Sequence, residues 1–220
     1  MQKTTSRLIF VAILSFLAMG TQAKAALAAG LNVGFVAGYN KWQAKVSAET
    51  SGNKNESSSS KDAFLGTLSL GYDWGLPFMF LRTNFLLRQA VPKQSASTNV
   101  AGNTINHTLS QDMGFGGEAL VGIDLPLLPA PYLKVALTGA QAKHATNLAS
   151  SNNTYKKLLW SPSIGGGLKM SFLGLMGSIE YLYTSMPNMS HNATLSGTSY
   201  GIEAKGMQMH TVALTVSYAF

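Results

Sequence analysis

The segment that most constrains the fold lies at the C-terminus, from Met207 to Phe220. From position 212 onward, large apolar residues alternate with small or polar ones. The apolar set is Val212, Leu214, Val216, Tyr218 and Phe220, and the other set is Thr211, Ala213, Thr215, Ser217 and Ala219. A period of two is typical of a β-strand with two different faces. A strand with one face suited to hydrocarbon needs further strands of the same kind, because unpaired backbone groups are not tolerated in a bilayer.

The same alternation returns in seven earlier segments, beginning with Leu31 to about Val46. The connections between them are in turn long and polar or short and tight, as in outer-membrane barrels. The long connections are predicted as exposed loops at residues 49–62, 92–106, 147–157 and 187–205. We therefore predict an all-β fold, an eight-stranded antiparallel transmembrane up-and-down β-barrel. Pro162 fits poorly inside the sixth strand, since it cannot donate a ladder hydrogen bond, and predicts a bulge or a strand edge.

Charged residues are segregated between the two faces of these strands. The predicted lipid face carries only Lys41 and Lys143, both near the long-loop ends. The opposite face, which would line the lumen, holds Asp73, Arg82, Arg88, Glu118, Asp124, Lys134, Lys169 and Glu180. A basic side chain at the middle of the lipid face costs about 2 to 4 kcal/mol, so this segregation favours a barrel. A soluble sandwich, the alternative, would place its charges outside.

Aromatic residues gather where the membrane interfaces should lie. A belt near the short turns is predicted from Tyr72, Trp74, Phe78, Tyr132, Phe172, Tyr218 and Phe220. Trp42, Trp160 and Tyr183 are candidates for the opposite belt.

The N-terminus has the order of a secretory signal peptide. Basic Lys3 and Arg7 precede the apolar run Leu8 to Met19 and a stretch of small residues. That run is too short for a helical span, which takes roughly 20 residues. We predict a signal peptide at residues 1–25 and one barrel domain at residues 26–220. Without Lys3, Arg7 and Lys24 the net charge falls from +7 to about +4, and scattered basic residues do not indicate a nucleic-acid partner. The chain has no cysteine, which excludes disulfides and thiolate metal sites.

In its architecture and its ending TVALTVSYAF, the chain resembles the small eight-stranded outer-membrane barrels, which include the OmpA transmembrane domain, OmpX and the Opa surface antigens. The resemblance covers about Leu31 to Phe220 and implies a bacterial outer-membrane location with both termini periplasmic. It also implies that Val216, Tyr218 and Phe220 form the signal read by the outer-membrane assembly machinery. Outer-membrane lipid and lipopolysaccharide are the implied surroundings, and the four loops are the implied contact with a host or environmental ligand.

The lumen charges have two readings. Eight strands enclose little more than their own side chains, so opposite charges should pair there as a structural plug. The same residues could instead line a narrow channel.

The remaining polar residues give weaker signals. His107, His144, His191 and His210 all fall at the long-loop end, and we expect exposed loop histidines rather than a haem or metal site, because none has a partner at ligand spacing. Ser190, His191 and Glu203 do not form a recognisable catalytic motif. No enzymatic activity, cofactor or metal is expected. The sequence thus predicts a non-catalytic surface antigen or adhesin-like protein that also supports envelope integrity, with a small-solute porin or narrow channel as the alternative.

Overall fold

In the computed structural model the described residues are 30–50, 53–76, 78–89, 91–123, 125, 128–148, 151–195 and 197–220. They form ten strands joined by turns. The strands are β1 (Gly30–Thr50), β2 (Asn53–Leu76), β3 (Met79–Arg88), β4 (Val91–Val100), β5 (Asn103–Ile123), β6 (Ala130–Leu148), β7 (Ser151–Phe172), β8 (Leu175–Ser185), β9 (Met189–Leu195) and β10 (Thr198–Ala219). Among these residues no helix is long and apolar enough to cross a membrane. The predicted signal peptide and Asp124 lie outside the described residues.

Eight of the strands close into a ring, in the order β1, β2, β3, β5, β6, β7, β8 and β10. All pairs are antiparallel, and β1 closes the ring against β10 from Asn32 opposite Ala219 to Glu49 opposite Gly201. The predicted eight-stranded up-and-down barrel is therefore confirmed. Strands β4 and β9 are additional and pair only with β5 and β10, respectively.

The prediction of four exposed loops is wrong, because the strands continue through these segments as β-hairpins. Strand β1 pairs with β2 as far as Thr50 opposite Asn53, and β6 pairs with β7 as far as Leu148 opposite Ser151. β4 and β9 supply the other two hairpins. We call the end of the barrel with these hairpins the hairpin end, and the end with Gly30 and Phe220 the turn end.

The hairpins build a second tier on the same barrel. The lower part, which we call the membrane tier, contains β3 and β8. In the upper part, the hairpin tier, β4 takes the place of β3 and β9 takes the place of β8. Where β4 faces β2, side chains replace backbone ladder bonds: Asn55 donates to the Asn99 carbonyl and Ser59 to the Ser95 carbonyl. Where β9 faces β7, the Tyr155 and His191 rings stack at 4.7 Å.

In the membrane tier the strands have an apolar outside and a polar inside, as the alternation predicts. On β10, Val212, Leu214 and Val216 are exposed, whereas Thr211 and Ser217 are buried. Each strand offers a lipid-facing stretch of about the 9 to 11 residues that a tilted transmembrane strand needs. Among the described residues, the outward positions of these stretches carry no charge. Lys41 and Lys143 stand just beyond the apolar stretches, toward the hairpin end.

In the hairpin tier this preference is reversed. Ile105 and Ile202 point inward and are almost fully buried, while Thr104 and Ser199 point outward and are exposed. The reversal follows from the surroundings, because a strand beyond the lipid faces water and buries its apolar residues as a soluble protein does. The hairpin tier therefore has an apolar core of its own.

The prediction of the aromatic belts is wrong for two residues. Trp42 and Tyr132 both point into the barrel, with 2% and 4% of their surface exposed, because each shares the inward parity of its strand. Trp160 is 44% exposed on the outside, as expected, and Tyr183 is half-buried. At the turn end the outward aromatic residues include the edge-to-face pairs Tyr72–Trp74 and Tyr218–Phe220.

Pro162 lies at a strand edge rather than in a bulge. The pairing of β6 with β7 passes through Leu137 opposite Pro162 without a shift in register. The pairing of β7 with β8 ends next to it, at Ser163 opposite Thr184. Bulges instead occur elsewhere, and the one between Gln111 and Gly114 in β5 changes which parity faces the lumen.

Close approach of two strands gives a test of the inward and outward faces. A Cβ built on inward Gly165 would overlap the carbonyl oxygen of Tyr181, whereas one built on outward Gly177 meets nothing within 4 Å. We expect Gly165→Val to prevent barrel formation, since backbone atoms cannot move aside, and Gly177→Val to fold normally. Heat-modifiable gel mobility after refolding measures this; equal folding of the two variants would contradict the assigned faces.

Candidate functional site

Near the turn end, an arginine and aspartate pair connects strands across the lumen. The Arg82 guanidinium is buried and donates to both carboxylate oxygens of Asp73, with Nη2 to Oδ2 at 2.6 Å. Its Nη1 reaches across the lumen to the Ser217 hydroxyl at 2.6 Å, and Asn32 donates to the same Asp73 carboxylate. A bidentate contact of this kind fixes geometry as well as charge. The pair therefore ties β2 and β3 to β10 across the interior.

A second cluster lies beside it, with Lys134 between two glutamates. The Lys134 Nζ is 2.7 Å from Glu118 and 2.9 Å from Glu180, and all three side chains are only 4% exposed. Tyr132 donates to Glu180 at 2.6 Å, and Asn84 donates to Glu118 at 2.7 Å. Several bonds to each carboxylate offset the cost of removing the charges from water.

Two of the predicted lumen residues, Lys169 and Arg88, make other contacts. Lys169 is buried with its Nζ 3.4 Å from the centre of the Phe80 ring, and stands opposite Ser178 in the register. Arg88 lies higher and donates to the Met209 sulfur at 3.1 Å. Asp124 is outside the described residues. Of the predicted charge network, the structure thus brings together Asp73 with Arg82, and Lys134 with Glu118 and Glu180.

Above the charges, toward the hairpin end, the lumen is filled by an apolar cluster. It contains Trp42, Ala44, Val46, Leu65, Val91, Leu109, Ala142, Leu159, Met186, Met189, Ala204, Met207 and Met209. Methionine suits such a place, because its flexible thioether fills irregular gaps. A second apolar cluster, Ala48, Val100, Ile105, Ala193, Tyr200 and Ile202, fills the hairpin tier near its tips.

Between these two apolar clusters lies a layer of three histidines. His107 and His144 are buried, with Nδ1 of the first 3.1 Å from Nε2 of the second. The rings of His144 and His191 are in edge contact at 5.1 Å, and His107 Nε2 is 2.7 Å from the Thr98 hydroxyl. The expectation of exposed loop histidines is therefore wrong for His107 and His144. His210 alone stays outside, hydrogen-bonded to Tyr181 at 2.6 Å.

Burial keeps this layer uncharged. It lowers the pKa of His107 from 6.5 to about 4, and the nearby His191 lowers it further. Burial also lowers the pKa of His144 to about 3, with contributions from His107 and His191, and lowers the pKa of His191. These groups lie beyond Lys143 and Asp112 toward the hairpin end, outside the apolar stretch. Near neutral pH the layer packs as neutral imidazoles.

The contacts of the layer are those of a packed core. Within the described part of the chain no group of three or more His, Cys, Asp or Glu residues is arranged to hold a metal ion. Ser190 and His191 are neighbours on β9 and therefore point to opposite faces. Ser190 is exposed opposite Glu203, while His191 stacks inward on Tyr155. The His191 imidazole therefore points away from the Ser190 hydroxyl.

A polar cleft of about 590 Å³ opens on the hairpin tier, where β1, β2, β9 and β10 meet. Its lining includes Glu49, Lys54, Ser190, Asn192 and Glu203. Lys54 and Lys205 both contact the Glu56 carboxylate next to it. The cleft thus presents hydroxyl, amide and carboxylate groups to water.

A closed ring of tilted strands with an apolar outer band, polar lumen and aromatic rims defines a transmembrane β-barrel. The family model described as "Outer membrane protein beta-barrel domain" matches residues 9–220. The chain belongs to this family, whose members are proteins of the bacterial outer membrane.

Three solved structures are similar to this chain at low identity. The outer membrane protease OmpT from Escherichia coli is 8% identical with a TM-score of 0.50, and the match covers 89% of this chain and 99% of that one. Neisserial surface protein A is 14% identical with a TM-score of 0.37, covering 84% and 97%. Ail, the attachment invasion locus protein of Yersinia pestis, is 11% identical with a TM-score of 0.35, covering 84% and 99%. A search of curated protein sequences finds no match.

The lysine between two glutamates gives a test of the lumen clusters. Lys134→Met keeps the length of the side chain but leaves two buried carboxylates facing each other. We expect a loss of about 3 to 5 kcal/mol in the free energy of unfolding, as when one member of a buried ion pair is removed. Urea unfolding in lipid vesicles measures it. The control is Lys143→Met, whose exposed pair with Asp112 should contribute below about 1 kcal/mol; equal effects would contradict the lumen assignment.

The histidine layer predicts acid sensitivity in the hairpin tier. Because the folded-state pKa values lie below the ordinary 6.5, the unfolded state binds more protons once the pH falls below about 6.5. Stability is therefore full above about pH 6.5 and declines as the pH falls toward 4 and 3. We expect a loss on the order of 5 kcal/mol by about pH 4, with similar shares from His107 and His144.

Thermal unfolding followed by tryptophan fluorescence measures this loss, since Trp42 is buried just below the layer. His144→Phe should reduce the acid sensitivity, and His210→Phe, which changes a histidine outside the layer, should leave it unchanged. An acid response that His144→Phe does not alter would assign it to other groups.

Proposed function

We propose that this protein is a non-catalytic surface protein of the outer membrane, in which a sealed barrel holds a rigid hairpin tier outside the cell for ligand binding. The observation that carries the proposal is the filling of the interior. Ion pairs, an apolar cluster, the histidine layer and a second apolar cluster follow one another from the turn end to the hairpin tips. A barrel filled in this way supports a scaffold better than a small-solute channel.

The hairpin tier suits the outside of the cell. It extends well past the lipid-facing band, has a polar exterior, and carries its own buried core. The β4–β5 tip is tight: Ala101 and Gly102 both have positive φ, as a two-residue type I′ turn requires. The proposed orientation, with both termini periplasmic, follows from placing this tier outside.

The orientation has a direct test because the chain has no cysteine. Single cysteines at Ser199 on the hairpin end and at exposed Leu128 in the turn-end β5–β6 connection serve as reporters. In intact cells a membrane-impermeant maleimide should label Ser199→Cys but not Leu128→Cys, and both should react after lysis. Labelling of Leu128→Cys alone in intact cells would reverse the proposed orientation.

The cleft on the hairpin tier is the proposed ligand site. Its hydroxyls, amides and carboxylates can exchange hydrogen bonds with a hydroxyl-rich ligand, such as a glycan, and its exposed lining is mainly polar. Because the site lies on strands rather than on free loops, its groups are held in place before binding.

Binding to the cleft can be tested with the refolded protein on an array of cell-surface and environmental glycans. We expect Asn192→Ala together with Glu203→Ala to reduce binding at least ten-fold while the heat-modifiable mobility stays unchanged. Thr104→Ala, on an exposed strand position elsewhere in the tier, is the matched control. Binding that survives the double substitution, or that Thr104→Ala lowers equally, would contradict a site in the cleft.

A further inference from the structure

The hydrogen-bond ladder on one side of β5 is interrupted where β3 ends and β4 begins. Strand β3 pairs with β5 as far as Arg88 opposite Gly114, and β4 resumes the pairing at Val91 opposite Gln111. The bulge of β5 lies at the same level, between Gln111 and Gly114. A cavity of about 10 Å³ lies in the lumen beside this interruption.

The interruption connects the cavity with the outer surface. Gln89 and Asp112, one from each side of the interruption, both line the cavity. Gln89 is exposed and Asp112 is half-buried. Asp112 also contacts Lys143, at the border of the lipid-facing band toward the hairpin end. A small ion can therefore reach the cavity from the water at this border.

Residues with hydrogen-bond donors line the cavity from several strands. Besides Arg88, the lining includes Gln111 of β5, Thr138 of β6, Ser161 of β7 and Thr184 of β8. These four residues are all buried. A site for one water molecule needs roughly 10 to 15 Å³, so the cavity accommodates a single small species.

The arginine at this cavity has no counter-charge from the protein. Arg88 is half-buried as a residue, but its Nε is buried and has no hydrogen-bond partner. Its Nη2 donates to the Met209 sulfur at 3.1 Å, and a thioether is a weak acceptor. Within the described part of the chain Arg88 forms no ion pair.

The carboxylates of the lumen and of the cavity rim that the structure describes already bind other cations. The pairs are Asp73 with Arg82, Glu118 and Glu180 with Lys134, and Asp112 with Lys143. A buried charge without a counter-charge is costly, and a neutral water molecule does not supply one. The cavity beside Arg88 therefore favours a small anion from solvent over water.

We propose that this cavity is a binding site for one halide ion, such as chloride. The ion accepts a charge-assisted hydrogen bond from Nε of Arg88 and further hydrogen bonds from the lining hydroxyls. Its single charge matches one guanidinium, whereas a sulfate ion is too large for a cavity of about 10 Å³. Bound there, the halide completes the filling of the lumen between the ion pairs and the apolar cluster. The site does not rest on the proposed function, because it requires neither a ligand at the cleft nor a particular orientation in the membrane.

Urea unfolding of the refolded full chain in zwitterionic lipid vesicles tests the site, with gluconate replaced stepwise by chloride at constant ionic strength. A ligand of the folded state raises the unfolding midpoint with the logarithm of its concentration once this exceeds Kd. We expect this rise for chloride and for bromide in the wild type. Arg88→Met removes the charge and the Nε–H group and should abolish the rise.

The matched control is Lys41→Met, which removes a rim lysine on β1 outside the cavity and should keep the full chloride response. General salt effects act on all three proteins alike, so the difference between the wild type and Arg88→Met is the specific response. An equal response in the wild type and Arg88→Met would overturn the proposal, as would loss of the response in Lys41→Met.

Diffraction at the bromine absorption edge locates the ion without any variant, so it remains decisive if Arg88→Met fails to fold. Crystals of the full chain grown in bromide should show an anomalous peak in the cavity, within hydrogen-bond distance of Arg88 Nε. A cavity that holds only water, with no anomalous signal, would contradict the halide site.

Discussion

Closure of the backbone hydrogen-bond ladder is the constraint on which the rest of the structure depends. In hydrocarbon an unpaired N–H or C=O group costs several kcal/mol, so the sheet has to end where it begins. The pairing of β1 with β10 meets this requirement along nearly the whole length of β1. A ring of eight strands is narrow, and its size then decides what the lumen can contain.

The surroundings of the barrel change along its length, from lipid around the membrane tier to water around the hairpin tier. Within the lipid, the outward residues are apolar and the lumen carries charges that pair with one another. Past Lys143 and Asp112 the outward residues are polar and the interior is apolar. The histidine layer lies inside this second tier, where burial keeps it neutral. A polar surface can therefore be held rigidly above the membrane without any separate domain.

The sequence predicted the membrane tier well because a period of two is a direct consequence of strand geometry. It did not predict the hairpin tier, because a high content of Ser, Asn and Thr is also typical of exposed loops. The signal was present: Ile105, His107 and Leu109 alternate with polar residues, as do Tyr200, Ile202 and Ala204.

The errors at single residues have equally local causes. The residue types of Trp42 and Tyr132 favour the membrane interfaces, although their parity in the strand points inward. His107 changes face relative to Phe115 because of the bulge between Gln111 and Gly114, which no local sequence pattern marks. Contacts across the lumen, such as those between His107 and His144 or between Arg82 and Ser217, depend on the barrel register and could not be read from the sequence.

The central claim is that the barrel interior is solid from end to end. Single-channel recording of the refolded protein in a planar bilayer tests it most directly, with heat-modifiable gel mobility as the control for folding. Folded protein with no stable conductance is the result that this account predicts. Reproducible, charge-selective steps that change in Glu118→Gln would contradict it, because they would require an open path past the buried ion pairs and the apolar cluster above them.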